Sequence, residues 1–326
     1  MQSAVALLLA LFLFSCKDKS PAVVSDAVSG GASEILVIMN KNKWESPVGD
    51  TLKAHFRQAQ IGLPQPEPMF DLLNVPESFF DGIRKKHRNL LYVKISPEVE
   101  KSSITLKDSP WAKTQKYFRI EVPSDSAFIT LFNANKEKIS YTFLRAEQQR
   151  LSKFYKQQKD VKICTLLKDK YKLNLSVPLQ YRVNKQIEDF IWISRETKID
   201  SKGVVYFQKP YTDKKQFEVD AILATLSEQL KYNIPGPSAG SYMGIDTITP
   251  MSSEYYQYAD KHYAVTIRGL WTVVHDFMGG PFIANVILDE KKSRVIYLMG
   301  YVYAPEDTKR DMARQVEGIL NTLNLE

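Results

Sequence analysis

The chain has 326 residues, a formal charge of +7, 44% apolar and 25% charged residues, which are globular values and exclude a disordered protein. Its two cysteines, Cys16 and Cys164, exclude a disulfide-built scaffold. Beyond the N-terminus no apolar stretch reaches the 18 or so residues a membrane-spanning helix needs.

The run Ala4 to Phe14 is uncharged and apolar, too short to cross a bilayer and of the length of a signal-peptide core, although no Lys or Arg precedes it. It ends in Leu13-Phe14-Ser15-Cys16, which resembles a bacterial lipobox: an aliphatic residue, a free position, a small residue, then cysteine. Residues 1–15 therefore read as a signal segment and Cys16 as the acylated N-terminus of the mature chain, held to a membrane by lipid. Residues 16–33, rich in Ser, Ala, Asp and Gly and without period, read as a flexible tether.

Glu34 to Met39 contains a continuous apolar run and predicts a strand buried on both faces. Ser46-Pro47 reads as an N-cap with proline in the first turn, and Val48, Leu52, Phe56 and Ala59 follow on one helical face. Pro64, Pro66 and Pro68 end that helix. Phe70 to Val75 predicts a strand, and Asn74 and Glu77 stand at capping-box spacing before a helix carrying Phe79, Phe80 and Ile83. With a strand over Leu90 to Ile95, the order is β-α-β-α-β, a locally parallel sheet. Tyr117 to Val122 is a further strand. Asp125 to Gln158 is helical, as one long helix or as two broken at Asn133-Ala134-Asn135.

The second half is richer in strands. Tyr171, Leu173, Leu175 and Val177 alternate with polar residues as in a half-buried strand, and Phe190 to Ser194 and Val204 to Phe207 continue. Val219 to Leu230 is an amphipathic helix. Ala264 to Ile267 and Trp271 to Val274 are strands around Gly269, Phe282 to Leu288 and Val295 to Tyr303 form a hairpin, and Thr308 to Leu323 closes the chain as a helix. The expected fold class is α+β: mixed sheets, with a β-α-β-α-β part over 34–165 and a more antiparallel part over 166–326, in one domain or two.

Gly236-Pro237-Ser238-Ala239-Gly240 matches the G-x-S-x-G string of serine hydrolases, and Asp246 or Asp260 followed by His262 or His275 completes the chain order of a triad. The context argues against it: a helix and Ile234-Pro235 precede Ser238 and no helix follows. His275-Asp276 is a second weak catalytic pair, since neighbours on a strand point to opposite faces. His55, His87, His262 and His275 are too scattered for a metal cluster. With no HExxH, CxxC pair, dinucleotide-binding glycines or Walker loop, no metal and no cofactor is expected.

Cys164 reads as a buried apolar residue. Nine basic residues against three acidic ones between Arg145 and Lys172 form a solvated face, with anionic headgroups as an alternative partner; a secreted protein has no use for nucleic acid contacts. Three segments combine Gly or Pro with aromatics: Gly62 to Phe70, Ile234 to Tyr242, and Arg268 to Phe282. Their residues Arg268, Trp271, Met278, Phe282 and Tyr242 are the candidates for contact with an envelope protein, peptide or glycan.

Several unusual strings occur here in one order: Trp44 with Pro47-Val48-Gly49-Asp50, Gly62 to Pro68, Trp192 to Thr197, Asn233 to Pro237, Arg268 to Trp271, Met278 to Phe282 and Tyr303 to Glu306. With the lipobox they resemble the Bacteroidota lipoproteins of domain of unknown function 4837. The resemblance implies a Gram-negative envelope setting, on the outer membrane because Lys17 rather than Asp follows Cys16, and brings no activity with it. The expected role is a non-catalytic binding or assembly module anchored by lipid. An envelope hydrolase or transferase with a site near 236–275 is the alternative, and membrane-surface binding through the basic stretch a second.

Overall fold

The computed structural model describes residue 25, residues 27–259 and residues 261–325. The signal segment, Cys16, the first part of the tether and Asp260 lie outside the described residues.

Residues 25 and 27–33 correct the expected tether. Ser25 and Ser29 pair in parallel with Ala112 and His87, Gly30 (φ +89°) lies flat on the His87 ring where a side chain would collide, and Ser33 is buried. A small, polar stretch can thus be a packed one, because its backbone finds partners on two loops.

The first half is a five-stranded sheet. Its strands are β1 (Glu34–Ile38), β2 (Asp71–Val75), β3 (Asn89–Ile95), β4 (Ser103–Asp108) and β5 (Lys116–Val122), in the order β2-β1-β3-β5-β4. All pair in parallel except the β4 edge. The apolar run of β1 is explained by its two covered faces. Ile35 and Val37 point to a cluster with Phe56, Phe132 and Phe143, while Leu36 and Ile38 point to one with Leu90, Tyr92 and Tyr117. After the short helix α1 (Lys41–Trp44), α2 (Pro47–Phe56) starts as expected, with the Ser46 side chain accepting from the Val48 N–H and proline in the first turn. The helix expected after Asn74 is absent. Two 3₁₀ turns, Glu77–Phe79 and Gly82–Lys86, replace it, and Phe79 and Ile83 are exposed. Asn74 is no cap, since its amide donates to the Val37 and Met39 carbonyls and ties β2 to β1.

Helix α3 (Asp125–Gln157) is single and unbroken over 33 residues, roughly 50 Å. Asn135 does not interrupt it, because its side chain donates to the Leu131 carbonyl within the helix. Two cores hold α3 straight. Phe128, Phe132, Ile139 and Phe143 pack on the first sheet, whereas Leu151 and Tyr155 pack on the second. Helix α4 (Val161–Tyr171) follows after an Asp160 cap. The strand expected over 171–177 is corrected: Tyr171 ends α4, and the chain then runs extended with single bridges at Asn174 and Pro178. The alternation is real, with Leu173, Leu175 and Val177 buried, but this segment lies across a sheet face and joins no ladder. Cys164 is half-buried beside it, and burial pushes its thiol up.

The second half is an eight-stranded antiparallel sheet. Its strands are β6 (Arg182–Gln186), β7 (Phe190–Glu196), β8 (Ser201–Pro210), β9 (Tyr242–Asp246), β10 (Ser252–Tyr258), β11 (His262–Val274), β12 (Gly279–Asp289) and β13 (Arg294–Tyr303). The order is β10-β11-β12-β13-β8-β7-β6, with β9 also on β11. Gly269 does not divide β11, which is one strand, and the β12–β13 hairpin is as expected. Helix α5 (Val219–Asn233) covers one face through Ile222, Leu226 and Leu230, and helix α6 (Arg310–Leu320) covers the other through Val316, Ile319 and Leu320. The fold is α+β.

Candidate functional site: a basic cleft between the two halves

The candidate serine does not meet an imidazole. Ser238 sits in an exposed loop between α5 and β9, and its hydroxyl donates to the Asp276 carboxylate. His275 (φ +67°) lies in the β11–β12 turn rather than on the strand, with its ring edge-on to Tyr242 at 6.3 Å. Asp246 accepts from the Ile248 and Thr249 N–H groups and the Thr249 hydroxyl just after β9, and His262 is buried at the opposite end of β11. The Ser238 hydroxyl, with the Phe277 N–H, holds Asp276 below the usual carboxylate range, so the contact is a latch between two surface loops. Ser238→Ala is expected to leave the melting temperature within about 1 °C and to raise the Asp276 pKa. Carbon-13 titration of the carboxyl checks the second part, and a large loss of stability would show the latch to be structural.

The aromatic candidates divide by burial. Trp271 donates from Nε1 to the Val302 carbonyl (3.0 Å) and Phe282 lies in the same core cluster, so neither presents a surface. Met278 and Tyr242 are half-buried. The aromatic the sequence reading passed over is Phe277 at the hairpin tip, 106% exposed. Arg268 pairs with Glu317 of α6 at 2.5 Å.

The proline-rich segment is a strut. Gly62 (φ +84°) passes against Arg268, where any side chain would crowd the β11 backbone. Glu67 accepts from the backbone N–H groups of Lys309 (2.7 Å) and Arg310 (2.9 Å), capping α6 from the other half of the chain. Arg310 returns bonds to the Pro68 carbonyl and to Asp71.

Where α3 passes from the first sheet to the second, it leaves a cleft of about 430 Å³. Its walls are residues 27–33, the turn at Thr114, α3 from Glu147 to Gln157 and α6 from Asp311 to Gln315. Glu147, only 3% exposed, lies at its base and is fully engaged. One oxygen accepts from Asn89 (2.8 Å) and Arg150 (2.7 Å), and the other accepts from Arg88 (2.8 Å). Burial alone would push this carboxyl up, but Arg150 and Arg88 outweigh it and hold it below the usual range. Burial lowers Arg150 in turn, partly offset by Glu147. The Nε groups of Arg88 and Arg150 are buried with no acceptor among the described residues. Across the cleft, Arg314 donates to the Ser33 hydroxyl, to the Gln60 side chain (2.7 Å) and to the Met69 carbonyl (2.6 Å). Asp311 accepts from Ser33 and Arg310.

Arg88, Glu147 and Arg314 were missed in the sequence because they come from three distant segments. The basic stretch gave half a signal. Of its nine cations, Arg150 and Lys153 line the cleft, while the lysines of α4 are exposed. A second signal was Glu147 itself, an acid on the helix face that Phe143 and Ala146 bury.

Among the described residues there is no helix long and apolar enough to cross a membrane, and no group of three or more His, Cys, Asp or Glu placed to hold a metal. The chain matches no curated protein. Residues 28–156 match a domain of unknown function, DUF8532, and residues 160–322 match another, DUF4837. The two stretches meet where α3 ends and α4 begins, and the cleft draws on both. The strings at Trp44 and Gly62 to Pro68 thus fall within the first match and the later ones within the second. As the DUF4837 match covers half of the chain, the protein belongs to the DUF4837 family.

Proposed function

We propose that this protein is a lipid-anchored envelope lipoprotein whose globular part is a non-catalytic binding module, with the cleft between its halves as the ligand site. The observation that carries the reading is the cleft itself: about 430 Å³, within the range of ligand sites, and lined by charged groups kept at depth instead of apolar ones. The Leu13-Phe14-Ser15-Cys16 string supports the anchor, and the family resemblance supports a Gram-negative, Bacteroidota outer-membrane setting. The dimensions suit a small molecule or the end of a peptide or glycan chain.

Two measurements test this. Labelling with an alkyne fatty acid is expected to mark the wild-type chain and not Cys16→Ala, and equal labelling of both removes the anchor. Native mass spectrometry of the full chain, isolated from its own envelope in neutral detergent, is expected to show a non-covalent adduct. Gln157→Trp, at an exposed position on the cleft wall, should abolish it. A bare chain in the wild type, or an adduct that survives Gln157→Trp, overturns the cleft as the ligand site.

A further inference from the structure

The cleft holds more positive charge than its own carboxylates offset. Arg88, Arg150, Arg314 and Lys153 line it, against Glu147 and Asp311. Glu147 is shared by two guanidiniums, and Asp311 is already engaged by Arg310 and Ser33. Arg314 is 3% exposed, yet every acceptor it reaches is neutral: a hydroxyl, a side-chain amide and a backbone carbonyl. Burial and the neighbouring Arg310 bring it down to about 10. Leaving a buried cation without a counter-charge is costly, and replacing buried ions by apolar residues is often neutral or stabilising. Three arginines gathered around one space are therefore poorly explained by stability. The guanidinium fork is matched to the paired oxygens of a carboxylate or a phosphate. Leu151 and the half-exposed Phe154 stand beside the cations and offer apolar contact to the rest of such a molecule.

We propose that the cleft binds an organic anion, its carboxylate or phosphate group set among Arg88, Arg150 and Arg314 with Lys153 at the rim. This rests on the cleft being the ligand site. The same chemistry is presented by a free small anion and by an anionic lipid headgroup, and the test separates them.

The full chain in neutral detergent would be melted and titrated calorimetrically with inorganic phosphate, octyl phosphate and octyl glucoside, and sedimented with vesicles with and without phosphatidylglycerol. Saturable stabilisation by phosphate, stronger for octyl phosphate, weakened by salt and absent for octyl glucoside, is expected. Lys153→Glu, at an exposed position that leaves the fold intact, and Arg88→Gln, which can still donate to Glu147, should each weaken binding by about tenfold. Binding of octyl phosphate without vesicle sedimentation supports the site and assigns a free anion. Salt-sensitive sedimentation that Lys153→Glu removes supports it and assigns a headgroup. An anion response unchanged in both variants overturns the proposal. So does a response to octyl glucoside alone that Gln157→Trp abolishes, which leaves the binding module standing. No response to any probe, together with a bare native mass, overturns both.

Discussion

Glu147→Leu is expected to destabilise the protein by about 3–5 kcal/mol, because it leaves Arg88 and Arg150 buried without a counter-charge. For a chain of this size that is a fall in melting temperature of roughly 6–10 °C. Glu147 also orients Asn89, whose amide reaches the Glu34 carbonyl, so the loss spreads into the first sheet. Removing the whole cluster should cost far less: Arg88→Met, Glu147→Leu and Arg150→Met together bury no ion, and most of the stability should return. Chemical denaturation of the single and triple variants checks this. A triple variant as unstable as the single one would show that the cluster serves the fold. Recovery of stability with loss of anion binding would show that it serves the cleft.

The same residue sets a pH dependence. The folded-state pKa of Glu147 lies below its unfolded value near 4.5. A group depressed in this way stabilises above the unfolded pKa, and that stabilisation is lost as pH falls through the folded one. The gap between wild type and Glu147→Leu should therefore be full at pH 7 and shrink below about pH 5. A gap that widens in acid would mean that the arginines do not govern this carboxyl.

Glu67→Ala is expected to cost about 2–4 kcal/mol. It strips two charge-assisted acceptors from the first turn of α6, at buried N–H groups, and removes a contact that ties the proline-rich strut to the second half. Glu67→Gln keeps one acceptor oxygen and should lose about half as much. Hydrogen exchange should report the loss first at the N-terminus of α6, and hardly at the β12–β13 hairpin. Uniform exchange across both would mean that α6 and the sheet open as one unit.

What was legible in the sequence was what local chemistry decides. The β1 run is apolar at every position because both of its faces are covered. The Ser46-Pro47 start of α2, the β12–β13 hairpin and the amphipathic stripes of α5 and α6 follow from capping, turns and period alone. Where readings failed, a distant partner had overruled the local signal. Asn74 and Glu77 have the spacing of a capping box, but Asn74 is drawn to β1, and no covered face exists for Phe79 and Ile83. The stretch from Lys172 to Val177 has a strand's alternation because it is extended and half-buried, while its backbone never enters the ladder. Trp271 and Phe282 carry the composition of a recognition surface and lie in the core. The Glu147 cluster was out of reach for the same reason. Residue type and spacing along one chain fix helices, strands and caps, but whether a charge is buried, paired or facing a cleft depends on contacts between residues 60–280 positions apart. Only the packing of α3 and α6 across the two sheets decided those contacts.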